Sequence, residues 1–379
     1  FGDISYITKA LSAVLQLGVT MDYSIFLLHR YDEERVIQKD NTCAMAVAIE
    51  KTIGSIAGSS LTTIAGFLAL CIMELALGKD IGFVMAKGVI FGLICTVTVL
   101  PALILVFDKG IHRFKHKTVL PKFEKSSAWV IKHHKVLVLI GALILIPALI
   151  GYKKTDVYYN LDESLPKDLP SIIANNKLKS EYNMMSTNII LVRDDLEGYK
   201  VDQMIDELKS VEGVTSVVGL EDILGQRIPQ TFIPKDLLEK IKNGGYEEIM
   251  LNSEYKAASD EVEVQLKEIN NIVKKYDKDG LVGGEAPLTE DLITIADSDF
   301  NRVSVASILA IFVIILFVFK SAIIPILLVL AIELAIFINL GIPFYMGTSI
   351  PFISSIVIGT IQLGATVDYA ILLTSRFKE

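Results

Sequence analysis

Two stretches of this sequence set a carboxylate beside a phenol inside an otherwise apolar run. The first, at 16–31, reads QLGVTMDYSIFLLHRY and holds Asp22 and Tyr23. The second, at 362–377, reads QLGATVDYAILLTSRF and holds Asp368 and Tyr369. Nine of the sixteen aligned positions are identical, including the Gln, Gly, Thr, Asp, Tyr and Arg, and repetition of this kind governs every later reading of a chain. An Asp at membrane depth costs at least about 2.5–3.5 kcal/mol on insertion scales, so it marks function by default. Written twice in one phrase, it points to ions passing between the two copies. The plainer alternative is a hydrogen bond that glues two helices together.

The elements that carry these residues must be membrane helices. The chain of 379 residues is 52% hydrophobic with a mean hydropathy of +0.50, too apolar for an ordinary soluble enzyme. Its apolar residues are gathered into runs of spanning length. Expected spans lie at about 4–28, 52–75 and 81–107, then 136–152, then 303–319, 322–340 and 351–374. An amphipathic segment at 30–51 is expected to lie on the membrane surface. Pro101 should bend the third span, and the helices at 303–319 and 322–340, separated by Lys320 and Ser321, should form a tight antiparallel pair. The chain begins at Phe1 and stops at Glu379, which reads as an internal window of a longer protein.

Charge sets the orientation. The connection at 108–135 holds eight Lys/Arg against two acids and is expected to be cytoplasmic. Between 153 and 301 there are 30 acids against 17 bases, a net of −13 in a chain of −8, which leaves +5 for the rest. That asymmetry marks 153–301 as an extracytoplasmic domain. With these crossings, the two Asp helices run in the same direction, each Asp eight residues before its own cytoplasmic Arg30 or Arg376, as in a parallel repeat.

Within 153–301 strands at Asn188–Val192, Val214–Gly219, Glu247–Leu251 and Leu281–Gly284 alternate with helices at Lys200–Ser210 and Lys256–Tyr276, with an irregular connection through Pro229 and Pro234. The order is that of the ferredoxin-like split motif, βαββαβ. The expected fold is thus a polytopic α-helical membrane protein with an extracytoplasmic α+β domain and a parallel pseudo-twofold repeat.

Several residues could support the Asp-Tyr pairs. The span at 52–75 is rich in small residues, so backbones can approach closely, and Ser59, Thr62 or Thr63 could reach the Asp22 site. Lys87 reads as a snorkelling side chain or as a partner of Glu74. Glu333, near the middle of its helix, could extend an ion path or sit neutral in a packing hydrogen bond. His112 and His116 form an i,i+4 pair with no third ligand at a useful spacing, so no metal is expected. The segment GLVGGEAP at 280–287 lacks the Lys-Ser/Thr of a phosphate loop. Cys43, Cys71 and Cys95 lie outside the acidic domain, and no Asn-x-Ser/Thr acceptor lies inside it. Both absences point to a bacterial origin and the cytoplasmic membrane.

The chain resembles the resistance–nodulation–division transporters, and most closely their MMPL family. The resemblance rests on GVTMDYSIFLLHRYDEE at 18–34, SSLTTIAGFLAL at 59–70, VLPAL at 99–103, GGEAPLTEDL at 283–292 and GATVDYAILLTSRF at 364–377. It implies a window from the fourth to the tenth helix of a twelve-helix protein, with 153–301 as a porter-like domain. It implies a proton relay at Asp22, Tyr23, Asp368 and Tyr369, with each Tyr donating to the carboxylate of the opposite half, and export of lipids or other amphiphiles without a cofactor. Lys87 and Glu333 depart from the family pattern. Neither an enzyme active site nor a nucleic-acid partner is expected, and a homo-oligomer (trimer or monomer) and accessory proteins stay open. So do sodium in place of protons, a sterol-sensing-like sensor, and a proton-driven subunit of protein export.

Overall fold

The computed structural model describes residues 4–38, 40–114, 124–160, 165–220, 238–239 and 241–378. The expectations placed on His116, on the Pro229–Pro234 connection, and on the side chains of His112 and Arg376 lie outside the described residues. In order, α1 (Tyr6–Ile37), α2 (Asn41–Ala69), α3 (Ala76–Val97), α4 (Val99–Arg113), α5 (Glu124–Lys132) and α6 (His134–Lys154) precede β1 (Val157–Tyr158). Next come α7 (Pro170–Tyr182), β2 (Ser186–Arg193), α8 (Gly198–Lys209), β3 (Val214–Val218), β4 (Lys242–Asn243), β5 (Tyr246–Ser253), α9 (Asp260–Tyr276) and β6 (Leu281–Gly284). Last are α10 (Glu285–Phe319), α11 (Ile323–Met346), β7 (Ile350–Pro351) and α12 (Phe352–Lys378).

Seven of these helices, α1, α2, α3, α6, α10, α11 and α12, are long and apolar enough to cross a membrane. The chain is therefore a multi-pass helical membrane protein. Three expectations need correction. The stretch 30–51 is not a separate surface helix, because α1 runs on to Ile37 and α2 begins at Asn41, capped by the Asp40 carboxylate on the Cys43 N–H. The third span is broken at Thr98 (φ −118°, ψ −65°) and not bent at Pro101, because a proline is tolerated in the first turn of a new helix. The helices around Lys320 are not each other's main partners: after a left-handed turn at Lys320 (φ 51°), α11 lies along α6 and α12.

The chain divides into two units, residues 1–157 with 296–379, and residues 158–295. In the first, α2 packs against α1, α3 and α12. At the α1 end the buried Asp108 carboxylate accepts from Tyr31 Oη at 3.0 Å, Arg35 at 2.9 Å and Asn41 at 3.0 Å, while Glu34 pairs with Lys51 at 2.8 Å. Charges that look like a water-facing run are therefore satisfied by one another. The buried Asp299 carboxylate accepts from the Glu74 and Leu75 N–H groups at 2.9 and 3.0 Å, fastening the α2–α3 connection to α10. Glu74 is paired with Arg302.

Helices α6 and α11 cross at two glycines. A Cβ on Gly341 would come within 2.9 Å of the Ala148 carbonyl oxygen, and one on Gly151 within 2.7 Å of the Gly341 oxygen. Both obstacles are backbone, so only glycine lets these helices meet. Ile311 and Ile315 of α10, Ile332 and Ile336 of α11, and Leu363, Val367 and Ile371 of α12 form one apolar cluster beside the crossing.

In the second unit the sheet order is β3-β5-β2-β6, every neighbouring pair antiparallel, with β4 added on β5. Side chains of β2 alternate between buried and half-buried. Those buried on its core side, Ile190 and Val192, join Ile249 and Leu251 of β5. Val201, Met204, Ile205 and Leu208 of α8 and Val262, Leu266, Ile269 and Val273 of α9 cover them at helical spacing. α9 is capped by Ser259, and its acids in the first turn and Lys274 and Lys275 in the last suit the helix dipole. Asp277, 2% exposed, accepts from the Arg193 N–H at 2.8 Å and the Asp279 N–H at 3.0 Å. Asp277→Ala leaves those amides unsatisfied, and a local loss of about 1–3 kcal/mol is expected. Hydrogen exchange of the full-length protein should show faster exchange in β2; unchanged protection there would contradict this assignment.

Candidate ion site between the Asp-Tyr helices

The repeated Gln and Thr are accounted for by local bonding. Thr20 and Thr366 each donate back to the carbonyl four residues earlier, of Gln16 and Gln362. Gln16 reaches the Gly88 carbonyl of α3 at 3.4 Å, and Gln362 accepts from Asn339 of α11 at 3.0 Å. These side chains hold each Asp helix to a neighbour and leave the Asp and Tyr as the reactive part of the phrase.

Asp368, 1% exposed, sits where α1, α2 and α12 converge. Tyr23 Oη, wholly buried, donates to Asp368 Oδ2 at 2.8 Å. Thr63 Oγ1 on α2 lies 2.9 and 3.0 Å from the two carboxylate oxygens and donates to that carboxylate. The same hydroxyl is 3.2 Å from the Gly364 carbonyl oxygen. Close approach makes this contact possible, since a Cβ on Gly66 would stand 3.1 Å from Gly364 Cα. The other copy of the repeat is looser. Asp22 is half-buried and Tyr369 is 58% exposed. One carboxylate is thus enclosed and fully bonded, while the other is open.

Of the proposed supporting residues, only Thr63 bonds the site, and it bonds Asp368 and not Asp22. Ser59 Oγ is buried without a hydrogen-bond partner, and Thr62 donates to the Ser59 carbonyl of its own helix at 2.7 Å. Lys87 is on the exposed side of α3. Glu333 is not at this site but lines a separate cavity with Ser307 and Thr360. The Gly66–Gly364 contact and the Asp299 clasp were not anticipated. A carboxylate opening an apolar run at 299, one turn before Arg302, was the available signal for the second.

The fold is that of a multi-pass helical membrane protein with a buried carboxylate, bonded by a tyrosine and a threonine, among its spanning helices. The profile of the MMPL family matches residues 1–129 and 183–379, and the chain belongs to that family. It is 25% identical over 399 residues to the membrane protein ActII-3 of Streptomyces coelicolor, covering 98% of this chain and 51% of that one. It is 24% identical over 369 residues to the apo-petrobactin exporter of Bacillus anthracis, with 88% and 46% covered. To the sulfolipid-1 exporter MmpL8 of Mycobacterium tuberculosis it is 25% identical over 227 residues, with 57% and 21% covered. The chain spans about half the length, or less, of these relatives.

Proposed function

We propose that this chain forms the ion-translocating part of a proton-driven exporter of lipids or other amphiphiles in a bacterial cytoplasmic membrane. The observation that carries the reading is the buried Asp368 carboxylate held by Tyr23 of the other copy of the repeat, with Thr63 closing the buried side. In the ionised state Asp368 accepts from Tyr23 and Thr63. When a proton arrives, the carboxyl needs one acceptor in place of one donor, and the bonds joining α1, α2 and α12 must rearrange. Each proton crossing the membrane supplies about 2.3 kcal/mol per 100 mV, enough over a few protons to drive a helix shift.

The acidic unit, in this reading, is an extracytoplasmic ferredoxin-like domain that takes the amphiphile from the outer leaflet, and the two Asp-Tyr helices are related by a parallel pseudo-twofold axis. The strand order and two core-facing helices of the second unit support the first, and the nine shared residues support the second. The exporters among the relatives support an amphiphilic cargo. The test is full-length protein in liposomes. An imposed proton gradient is expected to drive efflux of a fluorescent lipid, with internal pH change proportional to cargo moved. Efflux driven by a sodium gradient at constant pH, with no proton flux, would overturn the proton assignment.

A further inference from the structure

Away from the Asp-Tyr pairs, α6, α10, α11 and α12 enclose a cavity of about 190 Å³. Its polar lining is Glu333, Ser304, Ser307, Asn301, Thr360 and Tyr152, and its walls are otherwise apolar, including Phe300 and Phe337. No Lys, Arg or His lines it, and no described cation pairs with Glu333. Ser307 is wholly buried and its hydroxyl has no hydrogen-bond partner. Tyr152 and Phe337 pack with their rings tilted at 48° and 5.2 Å between centroids along one wall.

A carboxylate taken out of water with no cation beside it requires a counter-charge or a proton donor. A buried hydroxyl without a partner asks for one more polar contact. The cavity is several times the roughly 30 Å³ that one water takes up in the liquid, and aromatic rings form part of its wall. A dehydrated metal ion with its close shell of oxygens would leave most of that volume empty. The cavity suits a primary ammonium carried on a short apolar stem. An ammonium has three donors and no acceptor need, so it can meet Glu333, Ser307 and a further oxygen, with ring faces supplying cation–π attraction.

We propose that the Glu333 cavity binds the ammonium headgroup of an amphiphile. The site is separate from the Asp22–Asp368 pair and does not depend on the export reading. Two sources share this chemistry, an aminolipid of the bilayer and an exported amine.

The experiment is calorimetric titration of the full-length protein in dodecyl maltoside micelles with octylammonium, octanol and sodium chloride. Octylammonium is expected to bind about tenfold more tightly than octanol, the scale of a hydrogen bond to a charged group. Glu333→Gln should erase that preference, Ser307→Ala should reduce it several-fold, and Glu333→Asp should keep part of it. Asp368→Asn should leave it intact. Equal binding of the amine and the alcohol, or a preference that survives both Glu333→Gln and Ser307→Ala, would overturn the proposal. Displacement of the amine by millimolar sodium with its own binding heat would reassign the cavity to an inorganic cation and overturn it too. Aminolipid co-purifying with wild type but not with Glu333→Gln supports a bilayer source; titrable amine binding without such lipid supports an exported one.

Discussion

Asp368→Asn is expected to reduce proton-coupled export to background, at least about a hundredfold, the scale on which a positioned proton carrier contributes. The protein should still reach the membrane in normal amounts. Asn keeps the size of Asp and one oxygen to accept from Tyr23 and Thr63, so the helix contacts survive while proton uptake does not. Tyr23→Phe removes one hydrogen bond to a charged group, worth about 1.5–3 kcal/mol, or roughly 10- to 100-fold. Tyr369→Phe should cost distinctly less, because Tyr369 is 58% exposed, whereas Tyr23 is wholly buried. Efflux from liposomes, normalised to inserted protein, measures all three. Full activity of Asp368→Asn would remove the relay. Equal losses in the two Tyr variants would show that the asymmetry of the site has no functional weight.

A second large effect is expected away from any reactive group. Gly66→Val should break the Thr63–Asp368 contact, because even a Cβ at 66 would stand 3.1 Å from Gly364 Cα, which is backbone and has nowhere to rotate. Overpacking of this kind costs about 1–3 kcal/mol, and the separation it forces falls on the crossing that brings Thr63 within 2.9 Å of Asp368. Gly364→Ala is the control. A Cβ there meets its nearest atoms at 3.7 Å, ordinary contact, so transport should remain within about twofold of wild type if the crossing stays unstrained. Efflux together with thermal unfolding of both variants checks the pair. Similar losses at both positions would mean that general helix packing, and not this one crossing, sets the effect.

Much of the fold was legible because single residue types carry large penalties in a bilayer. Runs of apolar residues long enough to span can only be helices, since no water is present to satisfy an open backbone. The alternation in Ser186–Arg193 and the helical spacing in α8 and α9 exposed the order of elements in the acidic unit. Less was legible at the ends. The charges of 30–51 resemble a surface segment until Tyr31, Arg35 and Asn41 are seen to share Asp108. The break at Thr98 and the partnership of α11 with α6 depend on which helices lie alongside, which spacing along one chain does not report.

By itself the sequence determined that one acidic phrase is written twice in apolar surroundings, that it lies on helices of spanning length, and that Asp22, Tyr23, Asp368 and Tyr369 are the residues to watch. A repeated phrase predicts matching sites. Only the tertiary structure decided that they differ: α2 packs against α12 at two glycines and delivers Thr63 to Asp368 alone, leaving Asp22 and Tyr369 open. The reason is physical. The chemistry of a side chain is local to its residue, but its enclosure is supplied by whichever helix happens to pass close enough to touch it.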